Sequence, residues 1–395
     1  MKFFRPLTPR DMRTINRTAV LEIIRIEGPI SRGDISGALG LSLPSVVRIV
    51  NDLRAENLVR PTGKSEFSGG RKRPLLEINT TDNLSIGIDL GGTKAYGAIC
   101  DLRGEILCEY NVNNHKTKGK DSYDIVKSLI GLLMSHAKKE GLRISGIGIG
   151  VPGVTEPRSG VVQRASSLKW KNFPLRQRLE EDFGLTAAVD NDVNAAALGE
   201  MWFGHGKNVS NLVLVTLGTG VGAGLIMDGV LYRGAHLCAG EIGYIPWDRS
   251  CLDREYPEYG PLEYVASGLG IVEQAKKRGI FQPDTAGEIT AQEVFEACAR
   301  GEERAVSLVE EMADYLAMAL ISVSALADPD VIVIGGGISH SANFFIDRVI
   351  SRMAGRMPRM PRVEISVLRE RATVLGAMIN MLHLKEDFCL VRSMS

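Results

Sequence analysis

IDLGGTKAYG, residues 88–97, starts as an apolar strand, turns on two glycines and a threonine, and resumes as a strand. Glycine lets backbone N–H groups in such a turn face a ligand with no Cβ in the way, and the threonine hydroxyl adds a donor. Asp89, Gly91, Gly92, Thr93 and Lys94 are therefore candidates for a phosphate-binding loop. Around them, LSIGIDLGGTKAYGAICDLRGEILCEYNV reads as a meander of three short strands. A helical stretch at 121–140, a buried strand at ISGIGIGVPG and a further helix–strand pair ending at AAVDND come next. The second half opens the same way, with LVLVTLGTGVGAGLIMDGVLYRG placing Gly218, Thr219 and Gly220 in a strand-to-strand turn. Later, DPDVIVIGGGIS ends a buried strand at Gly335, Gly336 and Gly337 ahead of a helix. The repetition predicts two related α/β lobes around a cleft. Tight hairpins also need glycine for steric reasons alone. Three such clusters, each ending an apolar strand and spread over both halves, favour phosphate binding.

VDNDVNAAALGE, residues 189–200, carries the other chemistry. Phosphorylating a sugar hydroxyl requires a carboxylate that accepts its proton. Asp192, at a strand-to-helix junction, is the candidate base, with Asn191 positioning a neighbouring hydroxyl. An aspartate at that junction would serve equally well as a helix N-cap, and both readings stand.

The first 80 residues have another character. RTINRTAVLEIIRIE places Ile15, Ala19, Ile23 and Ile26 at helical spacing. Ser31 and Asp34 form a capping box for a short helix with Ile35 and Leu39 inward, and Ser42 caps a second helix with Val46, Val47, Val50 and Leu53 inward. Helix, turn, helix, then an alternating hairpin carrying Arg71, Lys72 and Arg73 is the pattern of a winged helix-turn-helix. Ser31, Arg32, Ser42, Ser45 and Arg48 are expected to face double-stranded DNA, with the three basic wing residues on phosphates or in the minor groove. A protein-binding module with a merely solvated basic tip is the alternative.

Composition agrees. The chain has 395 residues and zero net charge, but residues 1–78 hold 14 basic against 8 acidic side chains, so the basic surplus lies in the head. No apolar run reaches the ~18 residues of a membrane span. The N-terminus lacks the apolar core of a secretory signal, and the six cysteines are scattered without a CxxC pair. A cytoplasmic location with no membrane partner is expected.

With these motifs in this order (IDLGGTK, VPG at 151–153, DNDVNAAALGE, LGTGVGAGLI, AGEIGYIP, LEYVASG and IGGGIS), the chain resembles the ROK family of repressors, open reading frames and kinases. The head resembles the winged helix of its repressor branch. The resemblance implies an α/β, two-lobed actin- and hexokinase-like (ribonuclease H-like) ATPase fold preceded by an α+β winged helix-turn-helix. The expected division is residues 1–80 for the head, 84–204 for the first lobe and 205–395 for the second, the last helix packing back toward the first. It further implies phosphate contacts at the first two glycine turns, Gly335–Gly337 beside the adenosine of Mg-ATP, and sugar contacts from Gly153, Asn191, Asp192, Glu241, Tyr244 and Glu263.

One departure is marked. After AGEIG the family carries a histidine that contacts sugar and ligates zinc, and a cysteine-rich run comes after it. Here Tyr244 replaces the histidine, Cys251 is the lone cysteine of the segment and Pro261 stands where the last cysteine would be. His236, Cys238 and Cys251 fall short of four zinc ligands and are read as buried side chains, so no metal site is expected. A tyrosine there also shifts sugar preference, toward a pentose or a cyclic polyol. The leading reading is a repressor of carbohydrate-utilisation genes, acting as a homodimer or homotetramer and released from operator DNA by a sugar or cyclitol. The alternative is an ATP-dependent sugar kinase, with or without DNA binding.

Overall fold

The computed structural model describes residues 9–68, 71–92, 94–113, 122–207, 209–256, 259–281 and 289–386. The chain divides into two compact units. One holds the chain up to Asp192 together with Val374 onward, and the other runs from Val193 to Thr373.

The first unit begins with the head: α1 (Pro9–Glu27), β1 (Ile30–Ser31), α2 (Arg32–Leu39), α3 (Leu43–Ala55), β2 (Val59–Ser68) and β3 (Arg71–Ile78). The strands form an antiparallel sheet in the order β1-β3-β2. Its core is Val20, Leu21, Ile24, Ile35, Val46, Ile49, Val50, Leu53, Leu58 and Leu76. The helix face expected for α1 is therefore rotated. Ile26 is 58% exposed, while Val20 and Ile24 are buried. In α3, Ile49 takes the inward place expected for Val47. The chain turns through 118° between α2 and α3, within the range of a helix-turn-helix. This bent pair is apolar by composition, but no single helix among the described residues is long and apolar enough to cross a membrane.

The body of the same unit is a five-stranded sheet from β4 (Leu84–Leu90), β5 (Lys94–Cys100), β6 (Ile106–Asn113), β7 (Ile144–Val151) and β11 (Ala187–Asn191), in the order β11-β7-β4-β5-β6. The first three strands form an antiparallel meander, and β7 and β11 add in parallel. Helix α4 (Ser122–Lys139) buries Tyr123, Val126, Leu129, Ile130 and Leu133 in the associated core. A small antiparallel sheet, β8 (Val154–Glu156), β9 (Val161–Ala165) and β10 (Trp170–Phe173), lies outside the strand pattern expected from the sequence and precedes α5 (Leu175–Phe183). Trp170 stacks on Phe173 at 4.3 Å and closes that excursion.

The second unit repeats the plan. Its strands β12 (Leu212–Leu217), β13 (Val221–Met227), β14 (Val230–Tyr232), β15 (Val331–Gly335) and β16 (Arg362–Ile365) form the order β14-β13-β12-β15-β16, again a meander with two parallel additions. Between β14 and β15 lie α7 (Pro261–Ala266), α8 (Gly268–Lys277), α9 (Ala291–Ala299) and α10 (Glu303–Ala327), and α11 (Ile346–Met353) comes after β15.

Two helices change unit. Helix α6 (Asp192–Phe203) leaves β11 yet belongs to the second unit, and α12 (Arg371–Glu386) leaves the second unit and lies on the first sheet. Each docks on glycine. A Cβ on Gly87 or Gly148 would overlap the carbonyls of Val374 or Ala377 of α12, and one on Gly224 would come within 2.5 Å of the Ala197 methyl of α6.

Helix docking at this distance predicts a strong penalty for one methyl. Gly148→Ala should lower stability by about 1–3 kcal/mol. Gly37→Ala, at an exposed helical position with open space around it, should raise it by about 0.5–1 kcal/mol. Urea unfolding of both variants checks the contrast.

Candidate ligand- and DNA-binding residues

In the first unit the named residues gather at the C-terminal ends of parallel strands. Asp89 and Asp190 both pair with Gly150 across β4, β7 and β11, and Asn191 pairs with Val151. This is the edge at which open α/β sheets bind ligands. Gly153 lies just past β7 at φ 88°, and its carbonyl accepts a hydrogen bond from Asn191 Nδ2 at 3.1 Å. Asn191 and Asp192 are both partly exposed, and Asp192 is the first residue of α6. Asp190 is buried and takes a bond from Asn380 Nδ2 at 3.2 Å, which ties the strand end to α12.

The first glycine turn leads out of β4. Gly91 N–H closes it onto the Lys94 carbonyl at 2.9 Å, so this donor is already engaged. Gly92 and Lys94 are exposed, and Thr93 lies outside the described residues.

In the second unit, Gly218 N–H likewise closes its turn onto Gly220 at 3.0 Å, with Thr219 exposed at the tip. Strand β15 runs beside β12 with Thr216 opposite Gly335, which sets the glycine triplet next to this turn. Gly336 has φ 81°, and a Cβ there would overlap the Leu217 backbone, whereas Gly337 faces open space. From Gly337 to Phe344 the helix expected after the triplet is a 3-10 run, with Ser339 Oγ donating to the Gly336 carbonyl at 2.7 Å.

The acidic residues of this unit sit close to its turn. Glu263, on α7, accepts a bond from Val221 N at 3.4 Å, and a Cβ on Gly220 would lie 3.2 Å from its carboxylate. Burial pushes the Glu263 carboxyl up, the Val221 N–H opposes this, and the Glu241 charge adds to it. Glu241 has solvent on one side, yet desolvation by the surrounding protein raises its carboxyl too. Tyr244 ends the short 3-10 turn after Glu241 and is 61% exposed.

The zinc-poor segment differs from expectation in detail. His236 and Cys238 are exposed and only Cys251 is buried. Among the described residues, no three His, Cys, Asp or Glu side chains converge as a metal cage. Aromatic packing fills the segment: Trp247 lies 5.0 Å from Tyr315, and Tyr264 stacks on Tyr259 at 5.9 Å.

In the head, Ser31 is 1% exposed and accepts the Asp34 N–H at 3.3 Å. It is an interior N-cap, which corrects its expected place at the DNA surface. Arg32 is half-buried beside α3, with Nη2 3.5 Å from Asn51 Oδ1, and burial together with the Arg54 charge lowers its pKa. Ser42 caps α3 through Ser45 N and, with Arg48, is exposed, while Ser45 is partly so. Asn51 shares that face, which the heavier apolar pattern of the helix concealed. Arg71 and Lys72 open β3, but their side chains lie outside the described residues. Arg73 is exposed but sits below the wing tip, opposite Glu66 in the strand register, its guanidinium 3.3 Å from where a Cβ on Gly33 would be.

Because folding raises the Glu263 pKa, its contribution to stability is greatest below the ordinary carboxylate range and is lost as pH climbs through the raised value. Glu263→Gln keeps an acceptor for Val221 N–H and removes this loss. The variant's melting temperature relative to wild type should therefore rise from pH 4 to pH 7, as thermal unfolding across that range will test.

The ROK family model matches residues 85–383. A xylose repressor of Caldicellulosiruptor bescii is 31% identical over 379 residues, covering 92% of this chain and 94% of its own. A glucokinase of Halalkalibacterium halodurans is 34% identical over 311 residues, 75% of this chain and 94% of its own. Among solved structures, a ROK family transcriptional regulator described as a homologue of the Escherichia coli MLC protein superposes with a TM-score of 0.80 at 27% identity, over 95% of this chain and 98% of that one. The glucokinase match leaves out about a quarter of this chain, and the repressor match leaves out little. The family model and the long repressor match together place this chain in the ROK family.

Proposed function

We propose that the protein is a sugar-responsive transcriptional repressor of carbohydrate-utilisation genes. The observation that carries this reading is a complete helix-turn-helix, with Ser42 and Arg48 exposed on its second helix. A kinase has no use for it. Operator half-sites repeat with the two-fold symmetry of a dimer, so the protein acts as a homodimer or a tetramer built from one. The effector is a sugar or cyclitol, and the xylose repressor among the relatives makes a pentose the first class to test. Gly153, Asn191, Asp192, Glu241, Tyr244 and Glu263 are its proposed contacts. The ligand acts by binding the DNA-competent and DNA-released states unequally.

A second reading, sugar kinase activity, draws on the glucokinase relative and on Gly218 and Gly337, where a Cβ would meet open space. These positions fit a nucleotide held by the two adjacent turns of the second unit. Mg-ATP bound there would supply a transferable phosphoryl group, and Asp192 is the residue proposed to accept the sugar hydroxyl proton.

The test uses the full chain on a duplex selected from a randomised pool. D-xylose, D-glucose, N-acetylglucosamine and myo-inositol are added singly, with and without Mg-ATP. One of them should weaken DNA binding by roughly 5–150-fold, the usual span of allosteric coupling. ADP accumulating with that sugar would establish the kinase reading. Unchanged DNA affinity throughout would remove sugars of these classes as effectors. Arg48→Ala should weaken binding and, if Arg48 contacts a phosphate, reduce the slope of log K against log salt by about 1.

A further inference from the structure

Helix α3 carries an apolar face wider than its packed part. Its inner face is filled by Val46, Ile49, Val50 and Leu53, none more than 4% exposed. Packing has no need of more. Yet Leu43 is 49% exposed in the first turn, Pro44 beside it is exposed, and Val47 is partly so. Leu43 and Val47 stand four residues apart and therefore adjoin on one stripe. A scattered surface leucine is ordinary. This pair, however, lies at the N-terminal end of the second helix of a helix-turn-helix, the part that meets base edges in the major groove.

The neighbours indicate what covers the stripe. Ser42 and Ser45 bring their hydroxyls 2.8 Å apart, and Arg48 and Asn51 are exposed one and two turns further on. Arg54 is exposed near the end of the helix, and the head carries the chain's basic surplus. An apolar strip set among donors and cations suits a polyanion bearing isolated apolar groups. In the major groove that group is the C5 methyl of thymine.

Resting on the DNA-binding reading above, we propose that Leu43, supported by Val47, reads a thymine methyl in each operator half-site. Serine hydroxyls donate or accept and discriminate bases weakly. The leucine then supplies selectivity that the polar residues around it lack.

The experiment begins by selecting bound duplexes from a randomised pool with the full-length protein. Each thymine of the selected half-site is then replaced by deoxyuridine, which removes only the methyl. Binding of wild type, Leu43→Ala and Val47→Ala is measured on every duplex by fluorescence anisotropy. At one thymine position wild type should lose about fourfold per methyl, the worth of one buried CH₂. Leu43→Ala should lose a similar factor on the thymine duplex and nothing further on the deoxyuridine duplex. Val47→Ala should show a smaller version of the same non-additivity. Unchanged melting temperatures would confirm folded variants, as expected for exposed positions. Losses that multiply at every thymine, or wild-type binding indifferent to every methyl, would overturn the assignment. Failure of wild type to enrich any sequence would instead remove the DNA-binding reading, and this inference with it.

Discussion

Two helices approach two sheets most closely at glycines, and the body of the protein depends on that distance. The backbone of α12 meets β4 and β7 at Gly87 and Gly148, and α6 meets β13 at Gly224. At Gly87 and Gly148 main chain packs on main chain, and at Gly224 the Ala197 methyl and the Val193 carbonyl take the space a Cβ would need. The gain is dispersion over a long, close contact, and any methyl placed there costs its full strain. Helix α6 changes unit after its first residue and α12 after its third. The last helix is consequently part of the first unit's core, with Val374, Ala377, Met378 and Met381 all buried.

That arrangement places the chemistry. Once β4, β7 and β11 are held in parallel register, Asp89, Gly150 and Asp190 form a row at their C-terminal ends, and Asn191 and Asp192 come immediately after it. In the second unit the pairing of β12 with β15 brings the Gly218–Gly220 turn beside Gly335–Gly337. Glu263 is wedged against that turn, where the absent Cβ of Gly220 makes room for its carboxylate. A residue expected to touch sugar thus also holds the backbone of a turn expected to touch phosphate. Its raised pKa records the cost of placing a carboxylate there.

The repeated strand–turn–strand pattern was legible because glycine and apolar alternation dominate those segments locally. Helix faces were less so. In α1, Val20, Leu21, Ile23, Ile24 and Ile26 offer two apolar stripes of similar strength, and tertiary packing selected the one containing Val20, Leu21 and Ile24. The exchange of Val47 for Ile49 in α3 has the same origin. Ser31 was legible as a cap but not as interior, since a capping hydroxyl is equally at home at the surface. The sheet β8–β9–β10 was not legible, because its strands are three to five residues long and only Trp170 and Phe173 anchor its far edge.

Why a repressor would retain phosphate-type turns at all is a question the glycines answer unequally. Gly91 and Gly218 each donate their N–H to close their own hairpins, and Gly336 is required because its neighbour is the Leu217 backbone. These demands hold in a chain that never meets a nucleotide, so the motif alone does not argue for catalysis. Gly218 and Gly337 carry a further feature, since a side chain on either would enter open space. Sterics alone do not require glycine at Gly337, and the hydrogen bond of Gly218 is available to other residues. Glycines such as Gly131 have open space around them too, so it is the place of Gly218 and Gly337 at two adjacent turns, and not the space alone, that favours the proposed nucleotide contact there.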